Sequence, residues 1–170
     1  NAKDIPYLIS APKEDPTKQA YTDSSSSATS MTAGIKTYNN SVNVDANGIQ
    51  VPTIAHLAQE EGYAVGAVTS VPISHATPAA AYAHNVHRDD YQDLTRDLIG
   101  LPSISHPDKP LPGLDVIIGS GWGAEAPKSK GQGKNFVPGN QYLTDADKAK
   151  VNADNGGMYV VAERTKGVNG

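Results

Sequence analysis

Val51-Pro52-Thr53-Ile54-Ala55-His56-Leu57-Ala58-Gln59-Glu60-Glu61-Gly62 runs directly into Tyr63-Ala64-Val65-Gly66-Ala67-Val68-Thr69. The first stretch has a helical period. Pro52 stands near its first position, Ile54, Leu57, Ala58 and Glu61 share a face, and Gly62 ends it. The second is a short strand of small apolar residues. A helix that turns into a buried strand is the unit of an α/β fold, and the rest of the chain repeats it. Leu114-Asp115-Val116-Ile117-Ile118-Gly119 is almost continuously apolar, as a strand covered on both faces should be. Thr77-Pro78 opens a helix expected to run to about His87. Asp89 and Asp90 precede another, with Tyr91, Leu94, Leu98 and Ile99 on one stripe and Gly100 as its stop. Thr144 caps a short polar helix reaching about Ala153, and Met158–Glu163 reads as a last strand. Alternating helices and strands predict a mostly parallel sheet flanked by helices. Such sheets carry their sites at the carboxyl ends of strands.

Outward from this centre the signals weaken. Residues 1–20 read as an irregular lead-in, 21–123 as the organised region, 124–157 as a polar loop and short helix, and 158–170 as a strand and tail. The 170 residues are 38% hydrophobic with a net charge of −4, which suits one domain or a large piece of one. Lys and Arg are scattered, which argues against a nucleic-acid partner. No apolar run approaches the roughly 20 residues of a membrane span. There is no cysteine, so any metal needs His and carboxylate ligands.

Three places can carry chemistry. Thr22-Asp23-Ser24-Ser25-Ser26-Ser27 puts a serine at a helix start, where unpaired N–H groups and the helix dipole favour an anion. Read alone, it is equally a polar helix cap. Ser70-Val71-Pro72-Ile73-Ser74-His75-Ala76-Thr77 lies between a strand end and a helix start, so His75 and Thr77 can face one site. Arg88 follows Thr77 by eleven residues. Read alone it is a solvated cation, but an arginine that clamps phosphate needs its fork held by a carboxylate, and Asp23 qualifies. Among the five histidines, His56 and His84 read as helix residues, His87 as a neighbour of Arg88, and His106 as an exposed loop residue. No three of them converge by spacing. Gly119-Ser120-Gly121-Trp122-Gly123 departs from the dinucleotide fingerprint, because its third glycine falls one residue early. The Gly-x-Ser-x-Gly elbow of triad hydrolases is absent.

Taken in order, TDSSSSAT, TAGIKTYN, VPTIAHLAQEEGYAVGAVTS, HATPAAAYAHNVHR and LDVIIGSG resemble the alkaline phosphatases, best over residues 20–123. The resemblance implies a three-layer α/β fold, incomplete in this chain, and hydrolysis of phosphate monoesters through a phosphoserine. It implies Ser24 as nucleophile and a metal-bound oxygen, Asp23 as the residue orienting Arg88, and Arg88 as the phosphate clamp. Thr77 matches a magnesium ligand. His75 falls where some members carry an aspartate that holds magnesium-bound water and others carry histidine. Two zinc ions and one magnesium are implied. The zinc ligands, an early Asp and a downstream Asp-x-x-x-His and Asp-His, have no counterpart here, so the resemblance implies a piece of a longer enzyme that is inactive alone. The other possibility is a catalytically inactive structural or phosphate-binding fragment. A homodimer acting on small phosphate monoesters, with inorganic phosphate as product, in the periplasm or outside the cell, is the family expectation.

Overall fold

The computed structural model describes residues 22–121 and 141–163. The 1–20 lead-in, the Lys128–Lys134 run, Trp122, Gly123 and the tail after Glu163 lie outside the described residues.

The elements follow in the order α1 (Ser24–Ala33), α2 (Ile54–Glu60), β1 (Gly66–Pro72), α3 (Ala76–Ala79), α4 (Tyr91–Leu98), β2 (Val116–Ser120) and α5 (Asp145–Val151), with a 3-10 turn at Ala153–Asn155. β1 and β2 pair in parallel, Gly66 opposite Val116 and Val68 opposite Ile118, with an irregularity before Pro72 meets Ser120. Both strands begin two or three residues later than their apolar runs suggest. The fold is α/β around this small parallel sheet.

α1 is mostly Ser and Thr, poor material for a helix, with only Ala28, Ala33 and Met31 as good helix formers. It forms because its hydroxyls bond locally. Ser27 Oγ donates to the Asp23 carbonyl at 2.7 Å, Ser30 Oγ to Ser26 at 3.0 Å and Thr32 Oγ1 to Ala28 at 2.9 Å. The same small side chains let α1 pack closely, with Ser25, Ser26, Ala28 and Thr29 buried. α2 starts where Thr53 and His56 exchange capping bonds, so Pro52 sits just outside the helix. Gly62, at φ +84°, takes the left-handed turn after it, as Gly100 does after α4 at φ +73°.

α3 corrects the sequence reading: it stops at Ala79 instead of continuing to His87, and His84 is not helical. Neighbouring elements take the carbonyls that a longer helix would use. Asn43 Nδ2 donates to the Ala80 and Ala83 carbonyls at 2.9 and 2.8 Å, and Thr53 Oγ1 to Ala81 at 2.9 Å. Asn85 then pairs with Val42 through two backbone bonds of 2.9 Å. Alanine-rich propensity loses to tertiary hydrogen bonding here. The core forms around these turns, with Val42, Tyr82, Leu94, Leu98 and Leu114 fully buried among Ala28, Ala79, Ala80 and Ala83.

The expected last strand is also corrected. Within Met158–Glu163 only Tyr159 bridges, to Asn152. The chain reverses at Gly156, φ +85°, and folds back on the end of α5. Tyr159 N donates to Val151 O at 2.8 Å, and its hydroxyl to Leu114 O at 2.6 Å. These bonds spend its backbone on α5, and Val160 is left exposed.

α4 buries its apolar stripe as predicted, but its acidic residues are buried as well. Asp93 Oδ1 accepts the Ile104 N–H at 2.6 Å and Asp97 Oδ2 the His84 N–H at 2.9 Å. Neither carboxylate oxygen of Asp90 makes a well-formed hydrogen bond, and the Asn85 side chain offsets its burial only in part. Burial, then the charges of Asp93 and Asp89, push its carboxyl up to about 7. A folded-state pKa above the ordinary 3.8 means its contribution to stability is intact below about pH 4 and is lost as pH rises through about 7. Asp90→Asn is therefore expected to raise Tm at about pH 8 and to change it little at about pH 4. Thermal melts of both proteins across that range check the widening gap. A constant difference would show that ionisation of Asp90 is not the cause.

Candidate active site

Asp23 caps α1 in extended conformation, its Oδ1 accepting the Ser26 N–H at 2.9 Å. Its carboxylate is saturated with donors. Ser26 Oγ reaches Oδ1 at 2.7 Å, and Ser25 Oγ reaches Oδ2 at 2.7 Å. The Asn40 N–H reaches Oδ2 at 3.1 Å and Arg88 Nη1 at 3.0 Å. Burial acts to raise this carboxyl, but the Ser26 N–H and then the Ser26, Ser25 and Arg88 side chains outweigh it and hold it below its ordinary value. The serine run thus has two jobs: Ser25 and Ser26 are buried and orient Asp23, and Ser24 alone faces outward.

Arg88 arrives from the loop after α3, fixed by its N–H donating to Asn40 O at 2.7 Å. The same Nη1 that meets Asp23 donates to Ser24 Oγ at 2.7 Å. Asp23, Ser24 and Arg88, 64 or 65 residues apart in sequence, are in direct contact. The bridge is partly exposed, with side-chain accessibilities of 25% for Arg88 and 20% for Asp23. The remaining guanidinium donors and the N-terminus of α1 lie beside an accessible hydroxyl. That environment favours an anion with several oxygens.

His75 and Thr77 sit beyond the carboxyl end of β1, where the alternation of strands and helices places a site. His75 Nε2 lies 3.2 Å from Tyr142 Oη, and its ring stacks on Tyr91 at 5.6 Å between centroids. Burial lowers its pKa, and the positive charge of Arg88 lowers it further, against Asp89. The imidazole is thereby held neutral and within electrostatic range of Arg88. Thr77 is exposed on α3, two residues on. His87, the neighbour of Arg88, accepts the Asp89 N–H on Nδ1 at 3.2 Å and feels the charges of Asp89, Arg88 and Asp23 after burial.

The largest departure from the sequence reading lies elsewhere. His56, His84 and His106 do converge, and His106 is not exposed, its side chain being 12% accessible. The His56 ring lies parallel to that of His84 at 5.1 Å, and His106 meets His84 edge-on at 5.2 Å. Burial lowers His56 and His84 to about 4 and pushes Asp97 up to about 7. Residues 28 and 22 positions apart have no spacing signal to announce this.

The site defines a class by its contacts: a serine at a helix start, bonded to an arginine that a carboxylate holds. The chain belongs to the alkaline phosphatase family, whose model matches residues 3–155. It is 33% identical over 167 residues to alkaline phosphatase 3 of Bacillus subtilis, covering 91% of this chain and 34% of that protein. To the tissue-nonspecific alkaline phosphatase of Gallus gallus it is 35% identical over 133 residues, covering 69% of this chain and 25% of that protein. Among solved structures, a cold-active alkaline phosphatase from a psychrophilic Shewanella matches with a TM-score of 0.51 and 32% identity. That match spans 65% of this chain and 24% of that one. The chain thus spans about a third or less of the length of these relatives.

Proposed function

We propose that this chain supplies the nucleophile and phosphate clamp of a phosphomonoester hydrolase working through a phosphoserine on Ser24. The observation that carries the reading is the single guanidinium nitrogen, Arg88 Nη1, bonded to both Ser24 Oγ and Asp23 Oδ2. Ser24 Oγ attacks phosphorus, the bond to the leaving alcohol breaks, and the phosphoryl group stays on Ser24 until water displaces it as inorganic phosphate. Arg88 holds the non-bridging oxygens in both steps, when charge on the transferring group is most spread. Asp23 keeps the guanidinium plane fixed, and the five donors around it keep Asp23 ionised.

The metal ions of the family reading find only part of their donor set here. Thr77, with an exposed hydroxyl, and His75, a neutral imidazole, are suitable donors for a cation near Arg88, and Ser24 Oγ offers one more. Magnesium favours oxygen, so Thr77 fits it better than His75 does. Zinc, when bound, would lower the pKa of the serine hydroxyl and neutralise charge on the phosphoryl oxygens. Among the described residues His75 belongs to no group of three or more close histidines and carboxylates, although Asp89 lies within electrostatic range of it. The reading therefore requires ligands from other residues of a longer two-zinc, one-magnesium enzyme, and the 170 residues alone are proposed to be inactive. The enzyme is proposed to act as a homodimer on small phosphate monoesters in the periplasm or outside the cell. No helix among the described residues is long and apolar enough to cross a membrane.

A second reading rests on the same shortage of ligands: a segment that binds phosphate at Arg88 without turning esters over. Acid-quenched incubation of the purified full-length protein with a radiolabelled phosphomonoester separates the two. The first predicts acid-stable label on the peptide containing Ser24. Label on another residue, or none with substrate consumed, would overturn it.

A further inference from the structure

We infer that His84, His106 and Asp97 form a second metal site, for a divalent ion of the zinc type, that shares no residue with the Asp23–Ser24–Arg88 cluster. One donor atom from each of the three lies within 4.8 Å of the others. His84 Nδ1 is 3.1 Å from His106 Nε2, and His106 Nε2 is 3.7 Å from Asp97 Oδ2. Two nitrogens on a tetrahedral zinc, each about 2.0–2.1 Å from the ion, stand about 3.4 Å apart. The two pairs that share His106 Nε2 are thus already near ligand-to-ligand spacing.

Two further observations point to a cation. The first concerns proton placement. His84 Nε2 lies 2.8 Å from the carbonyl oxygen of Val51, and a carbonyl only accepts, so Nε2 carries the hydrogen. His84 Nδ1 therefore presents a lone pair toward His106 and Asp97. A ring N–H held by a backbone carbonyl is the usual outer support of a metal-binding histidine. The second concerns Asp97. Its side chain has no solvent exposure. Oδ2 takes the His84 N–H at 2.9 Å, and Oδ1 is buried without a well-formed hydrogen bond, the Ser103 side chain being the other support of this carboxylate. A plain His106-to-His84 hydrogen bond satisfies those two nitrogens and leaves Oδ1 a poorly paired buried acceptor, at a cost in free energy. An ion held by His84 Nδ1, His106 Nε2 and Asp97 Oδ2 would add a charge partner to this buried carboxylate.

The surroundings suit the role. His56 stacks flat on His84, with its Nδ1 accepting the Thr53 N–H at 2.9 Å and its Nε2 buried without a partner, and it lies outside the group of three mutually close donors. A cavity of about 550 Å³, lined by His84, His106, His56 and Lys109, opens onto the cluster. It gives an ion access and leaves room for water as a fourth ligand. The three ligands come from the loop after α3, from α4 and from the loop before β2. The ion would therefore pin the two loops to α4.

An anomalous difference map at the zinc edge tests the inference, on crystals of the full-length protein grown with zinc. A peak bonded to His84 Nδ1, His106 Nε2 and Asp97 is expected, and water or no density there would overturn it. In solution, His106→Ala and Asp97→Asn should each bind one equivalent less zinc than the parent by mass spectrometry. Each should also lose the zinc-dependent part of the Tm. Full zinc content in a folded His106→Ala protein would equally overturn the site. Should either variant fail to fold, the map on the unmodified protein decides.

Discussion

Replacing Ser24 by alanine is expected to lower kcat/KM for a phosphomonoester by roughly 10³-fold or more and to abolish phosphoserine labelling, with no measurable loss of stability. The two halves of this expectation come from different facts. Ser24 is exposed, and its hydroxyl is held by the Arg88 side chain, so removing it should shift stability by no more than about 0.5 kcal/mol, as for an ordinary surface change. Its neighbours behave differently. Ser27→Ala removes the bond to the Asp23 carbonyl and should cost helix stability while leaving turnover largely intact. Arg88→Lys keeps the charge but loses the planar fork. A lysine offers one compact ammonium where Arg88 has a nitrogen shared by Ser24 and Asp23 and further donors for the phosphoryl oxygens. A fall in kcat/KM of about 10²-fold is expected for it, in KM as well as kcat because the clamp acts on bound phosphate too. Steady-state kinetics with acid-quench labelling reads all three. Persistent label in Ser24→Ala would remove the serine from the mechanism altogether.

Much of this arrangement is legible in the sequence, for reasons that differ by element. The start of α1 at Asp23 follows from capping chemistry, which is local. The stops at Gly62 and Gly100 follow from the positive φ those turns demand, also local. β2 is announced by an apolar run, and the stripe of α4 by its period. The Arg88–Asp23 pairing spans 65 residues and is invisible to any window. It is reached through the order of motifs shared with the alkaline phosphatases. What the sequence does not disclose is decided by distant partners. The alanines after Thr77 look helical until Asn43 and Thr53 take their carbonyls. Met158–Glu163 looks like a strand until Tyr159 is drawn onto α5 and Leu114. His84 and His106 carry no mutual spacing, and the burial of Asp97 beside the apolar stripe of α4 departs from the amphipathic reading. These failures share one cause: a side-chain hydrogen bond made across the fold overrides a backbone preference worth a fraction of a kcal/mol per residue.

Asn43 concentrates that effect, and Asn43→Ala is expected to destabilise the protein by about 3 kcal/mol. The residue is fully buried at a φ of +47°, a left-handed conformation that asparagine tolerates and alanine resists by about 1 kcal/mol. Its amide donates to the Ala80 and Ala83 carbonyls. Its Oδ1 lies 3.2 Å from Thr32 Oγ1, and its backbone N–H donates to Thr29 Oγ1 at 3.0 Å. Truncation to alanine orphans the Ala83 carbonyl, whereas Ala80 keeps its bond from Thr32 at 2.8 Å. One lost carbonyl partner and the strained φ account for most of the cost. Asn43→Gly removes the same amide bonds and relieves the φ, so it should lose less than alanine does. Asn43→Asp should lose more, because it turns carboxylate oxygen toward two carbonyl oxygens in a buried site. The order Asp, Ala, Gly in denaturant unfolding free energies separates hydrogen bonding from backbone strain, and values within about 0.5 kcal/mol of the parent for all three would show that Asn43 anchors nothing. The consequence reaches the site. The Asn43 side chain bonds both α1, through Thr32, and the turn after α3, while its backbone N–H holds Thr29. Loosening it frees α1, which carries Ser24, from the segment that carries His75 and Thr77. Asn43→Gly should therefore lower kcat more than its stability loss alone predicts, at temperatures where it remains folded.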